Sequence, residues 1–327
     1  MIQNRRRYVS TLLLAIVFLG WSGTTLAAEH TTWQKAPKTA EEYNNRGLDR
    51  QNSGDLDGAI SDYTQGLSLK AKPATKATLH NNRANAFMAK NDFAAAVADY
   101  SSAIELQPSE VENYYNRGIA LYNKRDLDAA IADFTKAIEL EPKFAGAYEE
   151  RGNARSGKGD IEGALADYST AIALSPKNAT FYYNRGIALQ NQNQTDAAIK
   201  DFSQTLNLNP NFHRANISRA LALVEKGDTD GAIADYTRAL EFDPNDSSIY
   251  FGRAAARQKK KDLEGALFDY SKTIELDHSN ALAYASRGVV KLLLQKSDYA
   301  ADFETAFRLE PSLRATFGKF YEQRSKP

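Results

Sequence analysis

Eight arginines stand in register along the chain: Arg46, Arg83, Arg117, Arg151, Arg185, Arg219, Arg253 and Arg287, the last seven at intervals of 34 residues. A column of permanently charged, forked donors has the chemistry to hold an anionic polymer. A second column answers it. Asp99, Asp133, Asp167, Asp201, Asp235 and Asp269 follow Arg83, Arg117, Arg151, Arg185, Arg219 and Arg253 at a constant spacing, with a polar break such as Lys124-Arg125-Asp126 halfway between. If that break is the turn of an antiparallel helical hairpin, residues equidistant from it lie side by side. Counted across the next proline, Asp133 is also level with Arg151 of the following unit. Each Asp is therefore expected to brace one or two arginines. A partly buried pair depends strongly on its partner, so the arginine column reads as a structural ladder rather than a ligand site.

Other chemistry is sparse. The chain has 327 residues, 41 bases, 41 acids and no cysteine. Disulfides, thiolate catalysis and Cys-ligated metals are thereby excluded. His30, His80, His213 and His278 are scattered, without metal-ligand spacing, and no nucleophile elbow, H-E-x-x-H or Gly-rich phosphate loop occurs. The expectation is no enzyme, no cofactor and no metal. A balanced charge offers no footprint for nucleic acid.

Positioning the ladder requires repeated elements. Pro108, Pro142, Pro176, Pro210 and Pro244 share the 34-residue interval; Gly or Ala recurs at Ala84, Gly118, Gly152, Gly186, Ala220, Ala254 and Gly288, and alanine at Ala96, Ala130, Ala164, Ala198, Ala232 and Ala266. Within one row, Tyr114, Gly118 and Leu121 have helical spacing, a polar turn follows, and Ile131, Phe134 and Ile138 share a second helical face. Glu141-Pro142 stops that helix, because proline disfavours helix in the residue before it. The small residues let the two helices approach. An earlier row near Ala40 lacks the proline and is three residues longer, through Ala71–Lys76.

The row Tyr114-x-x-Arg117-Gly118-x-x-Leu121…Ala130…Phe134…Pro142 resembles the tetratricopeptide repeat. Eight units over 40–313 cover most of the chain, with Arg standing where the family usually has Leu. The resemblance implies an all-α, right-handed superhelical solenoid whose first helices line a concave groove. It divides the chain into 28–39 as a linker, 40–313 as repeats and 314–327 as a C-terminal cap bearing Phe317, Phe320 and Tyr321. Groove positions are the second, fifth, ninth and twelfth residues of each first helix. They supply Asn81, Asn85, Tyr115, Ile119, Tyr122, Glu149, Asn153, Tyr183, Ile187, Ile217, Leu221 and Phe251 as candidate contacts. Rings such as Tyr115, Tyr122, Tyr183 and Phe251 are larger than a solvated wall needs, and aromatics favour partner contacts. Some of the isoleucines can instead pack against the neighbouring first helix. Asn81 and Asn85 match part of the family's carboxylate clamp, but no lysine completes it. The expected function is a protein- or peptide-binding scaffold. The alternative is an accessory of polysaccharide or cell-envelope assembly, with groove tyrosines stacking on a glycan.

The N-terminus carries a separate signal. Residues 1–27 hold Arg5, Arg6 and Arg7 and no acid, then an apolar run from Leu12 to Leu19, then Thr25-Leu26-Ala27-Ala28. That order is the make-up of a secretory signal peptide. Its apolar run reaches about half of a ~30 Å bilayer core. Cleavage is expected after Ala27, or after Ala28, leaving a periplasmic or secreted protein; without cleavage the segment would be a membrane anchor. Asn4-Arg5-Arg6-Arg7 loosely resembles a twin-arginine signal.

Overall fold

A computed structural model of the chain describes residues 36–322. The segment 1–27, most of the linker and residues 323–327 lie outside the described residues. Those described form only helices: α1 (Ala40–Asn52), α2 (Leu56–Ser68), α3 (Pro73–Lys90), α4 (Phe93–Leu106), α5 (Val111–Asn123), α6 (Leu127–Leu140), α7 (Ala145–Lys158), α8 (Ile161–Leu174) and α9 (Ala179–Asn191). The series continues with α10 (Thr195–Leu208), α11 (His213–Lys226), α12 (Thr229–Phe242), α13 (Ser247–Lys259), α14 (Leu263–Leu276), α15 (Ala281–Leu293), α16 (Tyr299–Leu309) and α17 (Leu313–Glu322). The chain is an all-α solenoid of consecutive helix pairs.

Short turns close each pair. In every one a residue has positive φ: Gly54, Asn91, Arg125, Gly159, Asn193, Gly227, Lys261 and Gln295. Next stands an aspartate in most units. The side chains of Asp55, Asp92, Asp126, Asp160, Asp228 and Asp262 each accept from a backbone N–H in the first turn of the second helix. This satisfies donors that the helix start leaves bare. Asp298 does otherwise, meeting Lys291 at 2.7 Å. The three extra residues of the first row do not lengthen a loop. They extend the start of α3 back to Pro73, where proline at the first helical position loses no hydrogen bond.

Within a pair the small residue sits under the ring of the second helix. A Cβ on Gly118 would lie 2.6 Å from Phe134, and one on Gly186 would lie 2.7 Å from Phe202. Those rings and Phe303 are fully buried, as are Ala130, Ala198 and Ala232. First helices of neighbouring pairs touch, as α5 with α7 and α7 with α9, whereas among the described residues second helices of neighbouring pairs stand further apart. The stack therefore curves with the odd-numbered helices inside, and their outward-turned stripe lines the concave wall. At the far end α17 packs on α15 and α16, with Phe317 and Tyr321 about Phe303 at 6.5 and 6.3 Å. Phe320 stays 37% exposed.

Candidate partner-binding groove

The arginine ladder is the frame that fixes the groove wall. Arg83, Arg117, Arg185 and Arg219 each donate through Nε and Nη2 to both oxygens of Asp99, Asp133, Asp201 and Asp235, at 2.7–2.9 Å. Arg151 holds Asp167, and Arg253 holds Asp269, at 2.7–3.0 Å. Arg46 with Asp62 and Arg287 with Asp302 complete the series. All eight aspartates are buried. For Asp99, burial favours the neutral acid, but hydrogen bonds from Arg83 and His80 outweigh it and hold the carboxyl below its ordinary range.

The second brace differs from the sequence expectation. Among the described residues no ladder aspartate is held by the ladder arginine of the next unit. That arginine's Nη1 instead reaches the hydroxyl two residues further on: Arg117 to Ser101, Arg151 to Thr135, Arg185 to Ser169, Arg219 to Ser203 and Arg253 to Thr237, at 3.0–3.1 Å. The geometric reason is reach. A guanidinium whose Nε and Nη2 are committed to its own aspartate has one edge left, and that edge faces the previous second helix. Where an aspartate does gain a further side-chain partner of this kind, it comes from its own unit. Arg155 meets Asp167 and Arg257 meets Asp269, one turn beyond the ladder arginine, while His80 meets Asp99. A tyrosine three residues before the arginine covers the guanidinium at 5.5–5.9 Å in six units, as Tyr114 does Arg117 and Tyr148 does Arg151. Asn216 takes that place before Arg219, buried, with its Oδ1 lacking a hydrogen-bond partner among the described residues.

On the wall itself the expected residues fall into three kinds. Asn85 and Asn153 accept hydrogen bonds from the core hydroxyls of Tyr100 and Tyr168 at 2.5 and 2.9 Å. Asn81 donates to buried Asn113 at 2.6 Å. These amides anchor core tyrosines and neighbouring helices, so the partial carboxylate clamp is occupied internally.

The rings form the second kind, and here the expectation that folding does not call for their size is corrected. Tyr115 packs 6.0 Å from Phe134 of its own hairpin and 4.7 Å from Phe144 in the following turn. Tyr183 repeats this with Phe202 at 5.9 Å and Phe212 at 4.8 Å. Phe251 lies 5.5 Å from Tyr270. Ile119 and Tyr122 flank the Phe134 cluster, Ile187 the Phe202 cluster and Ile217 the Tyr236 cluster. All are half-buried. Leu221 is the exception, 48% exposed on the open wall.

The third kind is acidic. Glu149 accepts from Asn184 Nδ2 at 2.9 Å, and the adjacent Glu150 accepts from Asn153 Nδ2 at 3.1 Å. Burial, then the neighbouring Glu150, pushes Glu149 up to about 8. Burial likewise raises Glu150, against the bond from Asn153. Burial also raises the Tyr115 phenol, reinforced by both glutamates. Glu149 was on the candidate stripe; Glu150, one position off it, was missed. Among the described residues no group of three metal-ligating side chains forms and no helix is long and apolar enough to cross a membrane.

Family models described as TPR repeat and tetratricopeptide repeat match residues 84–125, 152–193, 183–247, 217–281 and 111–144. Together they span more than half of the chain. Among solved structures, YrrB, described as a TPR protein with an unusual peptide-binding site, is 25% identical at a TM-score of 0.51, over 56% of this chain and 95% of that one. A tetratricopeptide repeat protein from Parabacteroides merdae is 22% identical at 0.54, over 75% and 97%. The C-terminal part of a TPR repeat-containing protein from Cytophaga hutchinsonii is 17% identical at 0.61, over 70% and 95%. The last two likenesses speak to the fold alone.

Proposed function

The chain belongs to the tetratricopeptide repeat family, and on that premise we propose that it is an exported, non-enzymatic scaffold that binds a protein segment along its concave groove. The observation that carries this reading is the open apolar wall of α11. Leu221 stands 48% exposed between half-buried Ile217 and Val224, and an exposed apolar strip on a concave face marks a contact surface. YrrB, the similar protein described as having a peptide-binding site, supports a peptide as ligand. A glycan is less favoured, because Tyr115 and Tyr183 pack on phenylalanines and offer less ring face to a sugar. Export rests on Arg5-Arg6-Arg7, the Leu12–Leu19 run and the small residues after it.

Site-specific photo-crosslinking tests the scaffold reading in the native compartment. A crosslinking residue at Leu221 is expected to capture a protein, and one at Ala132 on the exposed outer face of α6 is not. Equal capture at both positions, or capture of polysaccharide only, would refute it.

A further inference from the structure

We propose that the crevice between α10 and α12, floored by Leu223, binds a guanidinium group from outside the chain. The crevice opens between second helices, away from the stripe that lines the groove, so this site stands independently of the scaffold reading.

The repeat itself shows what such a crevice holds. Four residues after the ladder arginine, the first, fourth and seventh units carry a second arginine: Arg50, Arg155 and Arg257. Each meets the same three acceptors. Its Nη1 donates to a glycine carbonyl, of Gly58, Gly163 or Gly265, at 3.1–3.4 Å. The same Nη1 reaches Oδ2 of the ladder aspartate, Asp62, Asp167 or Asp269, at 2.8–3.1 Å. Its Nε faces Oδ2 of the capping aspartate, Asp55, Asp160 or Asp262, at 3.6–3.8 Å.

The sixth unit keeps all three acceptors and lacks the arginine. Gly231, Asp235 and Asp228 stand in register with Gly163, Asp167 and Asp160, while Leu223 takes the place of Arg155. What remains is a space of about 320 Å³ lined by Leu223, Gly231 and Asp235. Asp235 is buried. Among the described residues its Oδ2 accepts from Arg219 alone, whereas Oδ2 of Asp167 and of Asp269 each takes two donors. Asp228 uses Oδ1 to cap Gly231 N–H at 2.9 Å. Its Oδ2 is turned as in the filled units: a Cβ on Gly231 would lie 2.7 Å from it, just as one on Gly163 or Gly265 would strike Oδ2 of Asp160 or Asp262. The acceptors are thus set for a guanidinium that the unit does not supply.

The neighbouring charges fit this. Arg238 also lines the crevice, but Lys272 occupies the same place in the seventh unit, where Arg257 is held nonetheless. The fifth unit has a similar space of about 310 Å³ beside Leu189 and Asp201, yet Lys200 lines it and Gln194 replaces the capping aspartate. It offers one carboxylate where the sixth unit offers two. A flat, forked donor can serve a carbonyl and two carboxylates together, which an ammonium does less well.

Titrating N-acetyl-arginine amide into the isotope-labelled protein, followed through backbone amide signals in nuclear magnetic resonance spectra, tests this. The Gly231 signal is expected to shift saturably, while those of Gly163 and Gly265, whose acceptors are occupied, and of Ala197 in the fifth unit stay in place. N-acetyl-lysine amide should bind at least about tenfold more weakly. Leu223→Arg supplies the missing side chain from within and should abolish the response. Asp228→Asn still caps α12 and should weaken binding by about threefold or more; circular dichroism melts verify that both variants are folded. Equal affinity for the acetylated Gly-Arg-Gly amide assigns the guanidinium to a protein chain, and binding of the single amino-acid amide alone assigns it to a small molecule. A Gly231 shift that does not saturate, equal shifts at Gly163 and Gly265, equal binding of the lysine compound, or unchanged binding by Asp228→Asn would overturn the site.

Discussion

Arg151 Nη1 donates to Thr135 Oγ1 of the preceding unit at 3.1 Å while its Nε and Nη2 hold Asp167 of its own. One side chain thus ties a hairpin together and ties it to its neighbour. The aspartates differ in what remains when the arginine is lost. Asp167 keeps Arg155 at 2.8 Å, whereas among the described residues Asp235 pairs with Arg219 alone. Arg219→Ala should therefore cost about 3 kcal/mol, by leaving a buried charge unpaired, and Arg151→Ala about half of that. Lys158→Ala, which removes an exposed ion pair with Asp128, should change stability by less than about 0.5 kcal/mol. Urea denaturation ranks the three; Lys158→Ala as the worst would contradict the ladder.

Backbone conformation in the inter-helix turns gives a second test. Gly159 has φ of +93° and no atom within 4 Å of where a Cβ would stand, so Gly159→Ala measures conformational strain without a clash. A loss of about 1 kcal/mol is expected. Arg125 holds φ of +72° in the equivalent turn, and Arg125→Gly should gain about 0.5 kcal/mol. Thermal melts read both signs.

Glu149 makes stability depend on pH. Its folded value of about 8 lies above the ordinary 4.5, so the folded state holds the proton more tightly than the unfolded one. That contribution is fully present below the unfolded value and is lost as pH rises through about 8. Glu149→Gln cannot ionise. Its stability relative to the wild-type protein should rise between about pH 5 and about pH 8 and then level off. A constant difference across that window, in denaturant midpoints, would show that Glu149 is not desolvated.

Two substitutions on the groove wall separate packing from binding. Tyr115→Ala should destabilise by about 2 kcal/mol, because the ring rests on Phe134 and Phe144. Leu221→Ser should shift stability by less than about 0.5 kcal/mol yet weaken capture of the partner. Stability loss at Leu221 and none at Tyr115 would invert the assignment.

For export, N-terminal sequencing of the protein recovered outside the cytoplasm should begin at Ala28 or Glu29. An intact Met1 in a membrane fraction would contradict cleavage.

The helices and the Arg–Asp pairs were legible because period and equal spacing from a turn are properties of a line of text. The Arg151–Thr135 bond was not, since the hydroxyl's column gains meaning only when two units stack. The packing of Tyr115 was half-visible. Phe144 follows Tyr115 at the same interval as Phe212 follows Tyr183, a correlation confined to the two units whose second-helix ring is Phe134 or Phe202. The units with Tyr100 and Tyr168 place Asn85 and Asn153 on the wall to receive the hydroxyl. In these four units the ring in the core goes with the side chain that faces the groove, a dependence that reading the wall alone does not show.

The crevices beside the inter-unit bonds have a mechanical consequence. A space of about 320 Å³ opens around Ser203, Arg219 and Leu223, and one of about 310 Å³ around Ser169, Arg185 and Leu189. Each hairpin is riveted by a two-pronged ion pair, whereas its ladder arginine clasps the hairpin before it through a single neutral hydroxyl. The ion pairs that join neighbouring hairpins, such as Lys226 with Asp196, are exposed, so pulling on the two ends of the solenoid is expected to part hairpin from hairpin before it opens one.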